Sequence, residues 1–278
     1  MLDLLERAAA DRYAVPSFCV WNAESAVTVL RVAAKLRAPV ILMNGPGDMP
    51  LLTPADLGGM VRELLGRFAV PAALHLDHGN AIRQVEECLR AGYTSVMLDF
   101  STRPYAENVA ALRQVVTLAH PHGVTVEGEL GHVGRADAVA TEGEAASELT
   151  QPAEAGSYVK ETGVDALAVS IGNAHGQYTK LPSLDFPRLA EIHQAAAVPL
   201  VLHGGSGTPE RDLRRAIALG IAKVNVATEL ISAVRGSLLS QWQRGRNLWV
   251  PVAEAEAMAA MAPVVEKWVR CTGAAGRA

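Results

Sequence analysis

The five residues His75-Leu76-Asp77-His78-Gly79 place two imidazoles and a carboxylate at the end of an apolar run that begins at Val70. Imidazole binds metal ions and moves protons near neutral pH, and an adjacent carboxylate adds a second proton-transfer group. Two later stretches repeat the arrangement, Ala166–His175 (ALAVSIGNAH) and Val198–Gly207 (VPLVLHGGSG), each an apolar run that ends in a histidine beside glycine. Three histidines delivered by three strand ends suggest one shared metal. Three neutral imidazoles leave the fourth position of a zinc ion open to water or to a substrate oxygen. Any one of these histidines alone is better read as a hydrogen-bonded or surface residue, and the chain has others that need no metal: His75, His120, His122, His132 and His193. His75 shares a strand face with Asp77 by alternation and is expected to pack inside the fold as a lesser candidate.

The run His203-Gly204-Gly205-Ser206-Gly207, with Thr208-Pro209 opening a helix, has the makings of an anion cradle. Glycine lets the backbone approach closely, Ser206 adds a hydroxyl, and a helix start offers unpaired N–H groups. Asn225 and Thr228 follow the next apolar run and could complete the cradle, or they could simply cap the helix behind them.

Positioning these groups falls to about eight alternations of strand and helix. The apolar runs predict strands at Val15–Val20, Pro39–Met43, Val70–Leu76, Ser95–Leu98, Val124–Glu129, Ala166–Ile171, Pro199–Leu202 and Lys223–Val226. Amphipathic stretches between them predict helices, with Thr53-Pro54 as a cap and first-turn proline. Met1–Arg12 reads as an extra N-terminal helix and Ala253–Val269 as an extra C-terminal one. Strict alternation implies a parallel sheet with helical crossovers. An open sheet would spread Asp77, His78, Asp99, Glu129, His175, His203 and Asn225 along an edge, whereas a closed (β/α)8 TIM barrel brings them into one ring. The expected fold is that barrel, as a single domain over residues 1–278. Residues 130–150 (LGHVGRADAVATEGEAASELT) lack periodicity and read as a lid.

Composition narrows the function classes. Half of the 278 residues are hydrophobic, yet no unbroken apolar run approaches the ~18 residues that span a bilayer. The net charge of −4 leaves no broad basic surface, which argues against nucleic acid. Cys19, Cys88 and Cys271 form no CxxC pair, so free thiols are expected. Charged residues within Met1–Arg12 argue against a signal peptide, and a cytoplasmic enzyme without membrane partners is expected.

The ordered motifs HLDHG (75–79), TSVMLDFS (94–101), VEGELGHVG (126–134), ETGVDALAVSIGNAHGQY (161–178), LVLHGGSG (200–207) and KVNVATEL (223–230) resemble the class II, metal-dependent ketose-bisphosphate aldolases, nearest the tagatose- and fructose-bisphosphate type. The resemblance covers nearly the whole chain. It implies zinc held by His78, His175 and His203, with Asp77 as the catalytic acid/base. It implies that Gly176, Gly204, Gly205, Ser206, Asn225, Val226, Ala227 and Thr228 hold the phosphate of dihydroxyacetone phosphate, with a monovalent cation beside that loop. Asp99 and Glu129 match positions that serve an alternative metal position or support the ligands. A homodimer or homotetramer is implied, acting on a small phosphorylated ketose.

Cleaving a ketose between C3 and C4 requires removal of the C4 hydroxyl proton and stabilisation of the enediolate left behind, tasks suited to a carboxylate and a Lewis acid. A Schiff-base route would need a lysine inside the barrel. Lys160 lies in a predicted helix, Lys180 in a loop and Lys223 at the predicted start of strand eight, so none is expected there. Asp137, Glu142 and Glu144 of the lid are candidates for the acid that exchanges the C3 proton. Departures from the family pattern fall on the aldehyde side: Cys19, Phe100 and Thr102 replace the usual Asn, Gly and His, and Arg244-Gly245-Arg246 stands near the missing Asp-Pro-Arg stretch. Arg103, Arg135, Arg244 and Arg246 remain as groups for a second phosphate. One alternative is therefore a 1-phosphoketose whose far end is unphosphorylated or deoxy, against Phe100, Cys19 and Trp21. An alternative of another class is a non-catalytic phosphosugar-binding barrel.

Overall fold

Eight parallel strands close in sequence order into a barrel, β1 (Val15–Cys19), β2 (Val40–Asn44), β3 (Ala72–Gly79), β4 (Ser95–Leu98), β5 (Thr125–Leu130), β6 (Ala166–Val169), β7 (Leu200–Leu202) and β8 (Ile221–Val226), with β8 pairing back to β1. The computed structural model describes residues 1–49, 51–136, 147–178, 180–245 and 249–278. Asp137, Glu142, Glu144 and Arg246 lie outside the described residues.

Around the barrel run α2 (Ala23–Leu36), α3 (Pro54–Leu65), α4 (Ile82–Arg90), α5 (Tyr105–Ala119), α6 (Pro152–Thr162), α7 (Phe186–Ala196), α8 (Glu210–Ala218) and α9 (Thr228–Gln243). The extra helices are α1 (Leu2–Asp11) and α10 (Val250–Cys271). Their ends follow local chemistry. Asn22 and Ser25 form a reciprocal capping box at α2, and Thr53 with Asp56 does the same at α3, where Pro54 supplies the first helical residue. Among the described residues, no helix is long and apolar enough to cross a membrane. The cysteines are free.

Two strand boundaries differ from the sequence expectation in ways that matter. β3 starts after Pro71, which cannot donate a ladder hydrogen bond, and continues through Asp77 and His78 to Gly79. Its register against β4 shifts between Leu76 and Gly79, and this irregularity re-aims the end of the strand. β8 begins at Ile221, two residues earlier than expected, so Lys223 is a mid-strand residue on the same face as Asn225. Lys223 is fully buried and lies within the barrel, correcting the expectation that no lysine would be found there.

Barrel interiors are usually filled by branched apolar side chains. Here the inward set also includes His75, Ser95, Glu127 and Lys223, all completely buried.

Candidate active site

Parallel strands all end at the same rim, and β3, β6 and β7 bring His78, His175 and His203 together there. Their ring centroids lie 4.6 to 5.6 Å apart. His78 Nδ1 is 2.7 Å from Asp99 Oδ2, His175 Nδ1 is 3.0 Å from the Val133 carbonyl and His203 Nε2 is 2.9 Å from Glu127 Oε1. Each of these oxygens accepts, so the ring nitrogen facing it carries the proton. The opposite nitrogens, His78 Nε2, His175 Nε2 and His203 Nδ1, are buried without a hydrogen-bond partner. Buried polar atoms are rarely left unpaired. Three of them, with ligand atoms within 4.8 Å of one another, fit the donor set of a zinc-like ion. The partner on the other side of each ring is the feature that orients imidazole ligands.

His78 holds this position with a backbone φ of 49°, a left-handed conformation that costs a non-glycine residue roughly 1–3 kcal/mol. Its bond to Asp99 offsets that strain. Asp99 is itself held by Ser101, whose hydroxyl donates to Oδ1 at 2.7 Å and also meets His132 Nδ1 at 3.0 Å. Glu129 accepts from the Val133 N–H through Oε1, while Oε2 stands 3.3 Å from His203 Nδ1 without a hydrogen bond. His78, Asp99 and Glu129 thus form a second donor set that shares His78 with the first.

Charge at the site is tightly balanced. Burial works against protonated His78, but Asp77, Asp99 and Glu129 outweigh it and push its pKa up to about 10. Burial, and repulsion from His78, push His175 down to about 4, and burial also keeps His203 well below the ordinary range. Burial together with Asp99 raises Glu129 to about 8. Asp77 moves the other way: burial opposes its charge, yet His78, His203 and Lys223 hold its carboxyl low. It is therefore a carboxylate at neutral pH, able to accept a proton. Asn225 Nδ2 donates to its Oδ1 at 2.9 Å and fixes its direction.

The loops after β7 and β8 meet. Gly205 N–H donates to the Asn225 carbonyl, and Ser206 Oγ accepts the Glu229 N–H. Gly204 has φ +61°, and a Cβ there would fall 2.0 Å from the Ala174 carbonyl oxygen. A Cβ on Gly205 would fall 2.5 Å from Val224 Cγ1, so both positions need glycine. Val226, Ala227 and Thr228 line the turn into α9, which begins at Thr228, and Gly176 follows His175 with φ +86°. The capping alternative is not what the geometry shows for α9: Ala227 is its N-cap, and no side chain caps it.

Several supporting residues were given no role from the sequence. Glu127 and Lys223 lie under His203; Asn173 donates to the His203 carbonyl at 3.0 Å; Tyr178 donates to the Gly204 carbonyl at 3.1 Å. Glu229 ties the glycine loop to α10, accepting from Gly207 N–H at 2.8 Å, Lys267 Nζ at 2.8 Å and Trp268 Nε1 at 3.1 Å. Burial opposes its charge, but these donors hold its carboxyl below the usual range. Glu229→Ala should lower stability by about 1–3 kcal/mol in urea denaturation at pH 7. The lowered folded value means that this contribution is complete above pH ~4.3 and lost as the pH falls below it. Unchanged stability at pH 7 would show that the strap is idle.

Residues 134–136, after β5, reach the site. Gly134 O accepts the His175 N–H and Ala136 N–H donates to the His175 carbonyl, which brings the Arg135 backbone alongside His175. Arg103 is exposed near the end of β4. Arg244 sits at the far end of the 16-residue α9, about 24 Å along the helix from its start, and bonds back to Ser240. Phe100 and Trp21 are half-buried and pack against the hydrophobic core.

Comparison with known proteins agrees with this geometry. A family model described as "Fructose-bisphosphate aldolase class-II" matches residues 1–277. The YdjI aldolase of Escherichia coli K12 is 32% identical with a TM-score of 0.89, over 100% of this chain and 98% of that one. A putative fructose-1,6-bisphosphate aldolase of Coccidioides immitis is 28% identical with a TM-score of 0.86, over 99% and 96%. At 22% identity and a TM-score of 0.84, over 99% and 95%, the fructose-bisphosphate aldolase of Campylobacter jejuni shares the fold. The protein belongs to the class II fructose-bisphosphate aldolase family and is a carbon–carbon lyase.

Proposed function

We propose that this aldolase uses zinc held by His78, His175 and His203 to cleave a phosphorylated ketose, a 1,6-bisphosphate or a 1-phosphate, reversibly to dihydroxyacetone phosphate and an aldehyde. The observation that carries the reading is the set of three buried ring nitrogens without partners, each on a ring whose other nitrogen is engaged. The ion, when bound, supplies a Lewis acid for the oxygens of the ketone half. Asp77 accepts the C4 hydroxyl proton; the C3–C4 electron pair passes to the ketone half as the aldehyde departs. Asn225 keeps the Asp77 carboxylate aimed. Asp99 orients His78, and Asp99 with Glu129 offers an alternative donor set. Gly176, Gly204, Gly205, Ser206 and Asn225 to Thr228 bind the substrate phosphate, with a monovalent cation beside them. A lid acid returns the C3 proton. The reading includes one functional domain over residues 1–278, a homodimer or homotetramer, and a cytoplasmic location. The test is to incubate the zinc-loaded protein with a panel of phosphorylated ketoses. Release of dihydroxyacetone phosphate is expected from at least one, and none from any would favour a non-catalytic sugar-phosphate barrel.

A second reading concerns the aldehyde half. Arg244 bonds to its own helix, and Phe100 brings an aromatic ring to the position next to Asp99. These features favour a ketose 1-phosphate whose far end has no phosphate. Burying one methyl group is worth about 0.8 kcal/mol, a bias of several fold. The expected result is a higher kcat/KM for 5-deoxy- or 6-deoxyketose 1-phosphates than for fructose or tagatose 1,6-bisphosphate. A clear preference for the bisphosphates refutes this second reading.

A further inference from the structure

Four strands send polar side chains to one point inside the barrel. Lys223 Nζ from β8 donates to Glu127 Oε2 at 2.7 Å and lies 3.2 Å from His75 Nε2. Glu127 Oε1 accepts from His203 Nε2 at 2.9 Å, and His75 Nδ1 meets Ser95 Oγ at 2.8 Å. All five side chains are completely buried. His75, Asp77 and Glu127 have the spacing of a metal-binding group, but the Lys223 ammonium already bonds to two of the three.

A buried ion pair is expensive to desolvate, and apolar side chains would fill the same space at no such cost. Its geometry shows what the pair can do. The two carboxylate oxygens of Glu127 are divided, one to the ammonium and one to the His203 ring. With Lys223 absent, Oε2 would be a buried acceptor without a partner, and the carboxylate would be free to turn away from His203. The ring would then have no fixed reason to present Nδ1 rather than Nε2 toward His78 and His175.

We infer that Lys223 is a positioning residue for the three-histidine centre: by clamping Glu127 it keeps His203 with its Nε2–H inward and its Nδ1 toward the other two rings. The inference rests on the zinc reading above, and it makes Lys223 neither a nucleophile nor a substrate contact.

The test measures zinc affinity by chelator competition on the full-length protein, together with nitrogen-detected NMR of the His203 tautomer in the metal-free form. Lys223→Met should weaken zinc binding by about 10–100-fold, the usual effect of losing an outer partner of a ligand, and should abolish the single Nε2–H tautomer. The charge-neutral pair Lys223→Met/Glu127→Gln leaves no buried charge unpaired and guards against a single variant that fails to fold; it should show the same loss. Adding Lys223→Met to Glu127→Gln should cost nothing further, because Lys223 acts through Glu127. A purely structural role would lower the melting temperature without turning the ring. Wild-type affinity in either Lys223 variant overturns the inference while leaving the zinc site standing. A wild-type protein that takes up no zinc overturns both.

Discussion

His203→Ala is expected to lose stoichiometric zinc and reduce cleavage by about 10⁴-fold or more, while the barrel still folds. The ring is fully buried, its Nε2 is held by Glu127, and its Nδ1 is one of three buried ring nitrogens without a hydrogen-bond partner among the described residues. A catalytic zinc ordinarily needs three protein ligands beside its open position, so two imidazoles should not retain it. A Lewis acid contributing about 5 kcal/mol or more to the transition state corresponds to a loss of about that size. Folding should survive because the contacts that join the β7 and β8 loops run through the backbone, Gly205 N–H to the Asn225 carbonyl, and through Ser206. Glu127 also keeps its ion pair with Lys223. Metal analysis with circular dichroism checks the result. Full zinc occupancy in His203→Ala would show that the ion is held elsewhere.

Asp77→Asn should separate proton transfer from metal binding. The amide keeps the shape of the side chain, and its oxygen can still accept the bond that Asn225 Nδ2 now donates to Oδ1. What disappears is the carboxylate, which His78, His203 and Lys223 hold ionised against the effect of burial. Turnover should fall by roughly 10²–10⁴-fold, the range for a general base, with zinc content unchanged. Loss of zinc in this variant would instead make Asp77 part of the metal centre.

The fold and the histidine centre were legible because they depend on features that sequence patterns report. Alternating apolar runs and helices dictate a closed parallel barrel, and a closed barrel forces the residues after each strand to one rim. His78, His175 and His203 therefore had to be neighbours once their strands were identified. The interior network was harder to read. Alternation puts Lys223 on the face of Asn225 even in the shorter expected strand, but as the first residue of that strand it reads as a rim position; β8 begins at Ile221, and Lys223 lies mid-strand inside the barrel. The same period of two relates Glu127 to Glu129 and His75 to Asp77, and this signal could have found the whole cluster. Asn173 and Tyr178 act from a loop, where no periodicity says which way a side chain turns. Arg244 is a candidate by sequence order alone; it caps the C-terminal end of α9 and bonds back to Ser240.

The most direct test of the account is to strip the purified protein with a chelator, restore zinc, and follow cleavage of a ketose 1-phosphate, with borohydride added in parallel to trap any lysine adduct. Activity should vanish with the metal and return at one zinc per chain, with no adduct at Lys223 or elsewhere. Cleavage that persists in metal-free protein, with a borohydride-trapped lysine, would contradict the account.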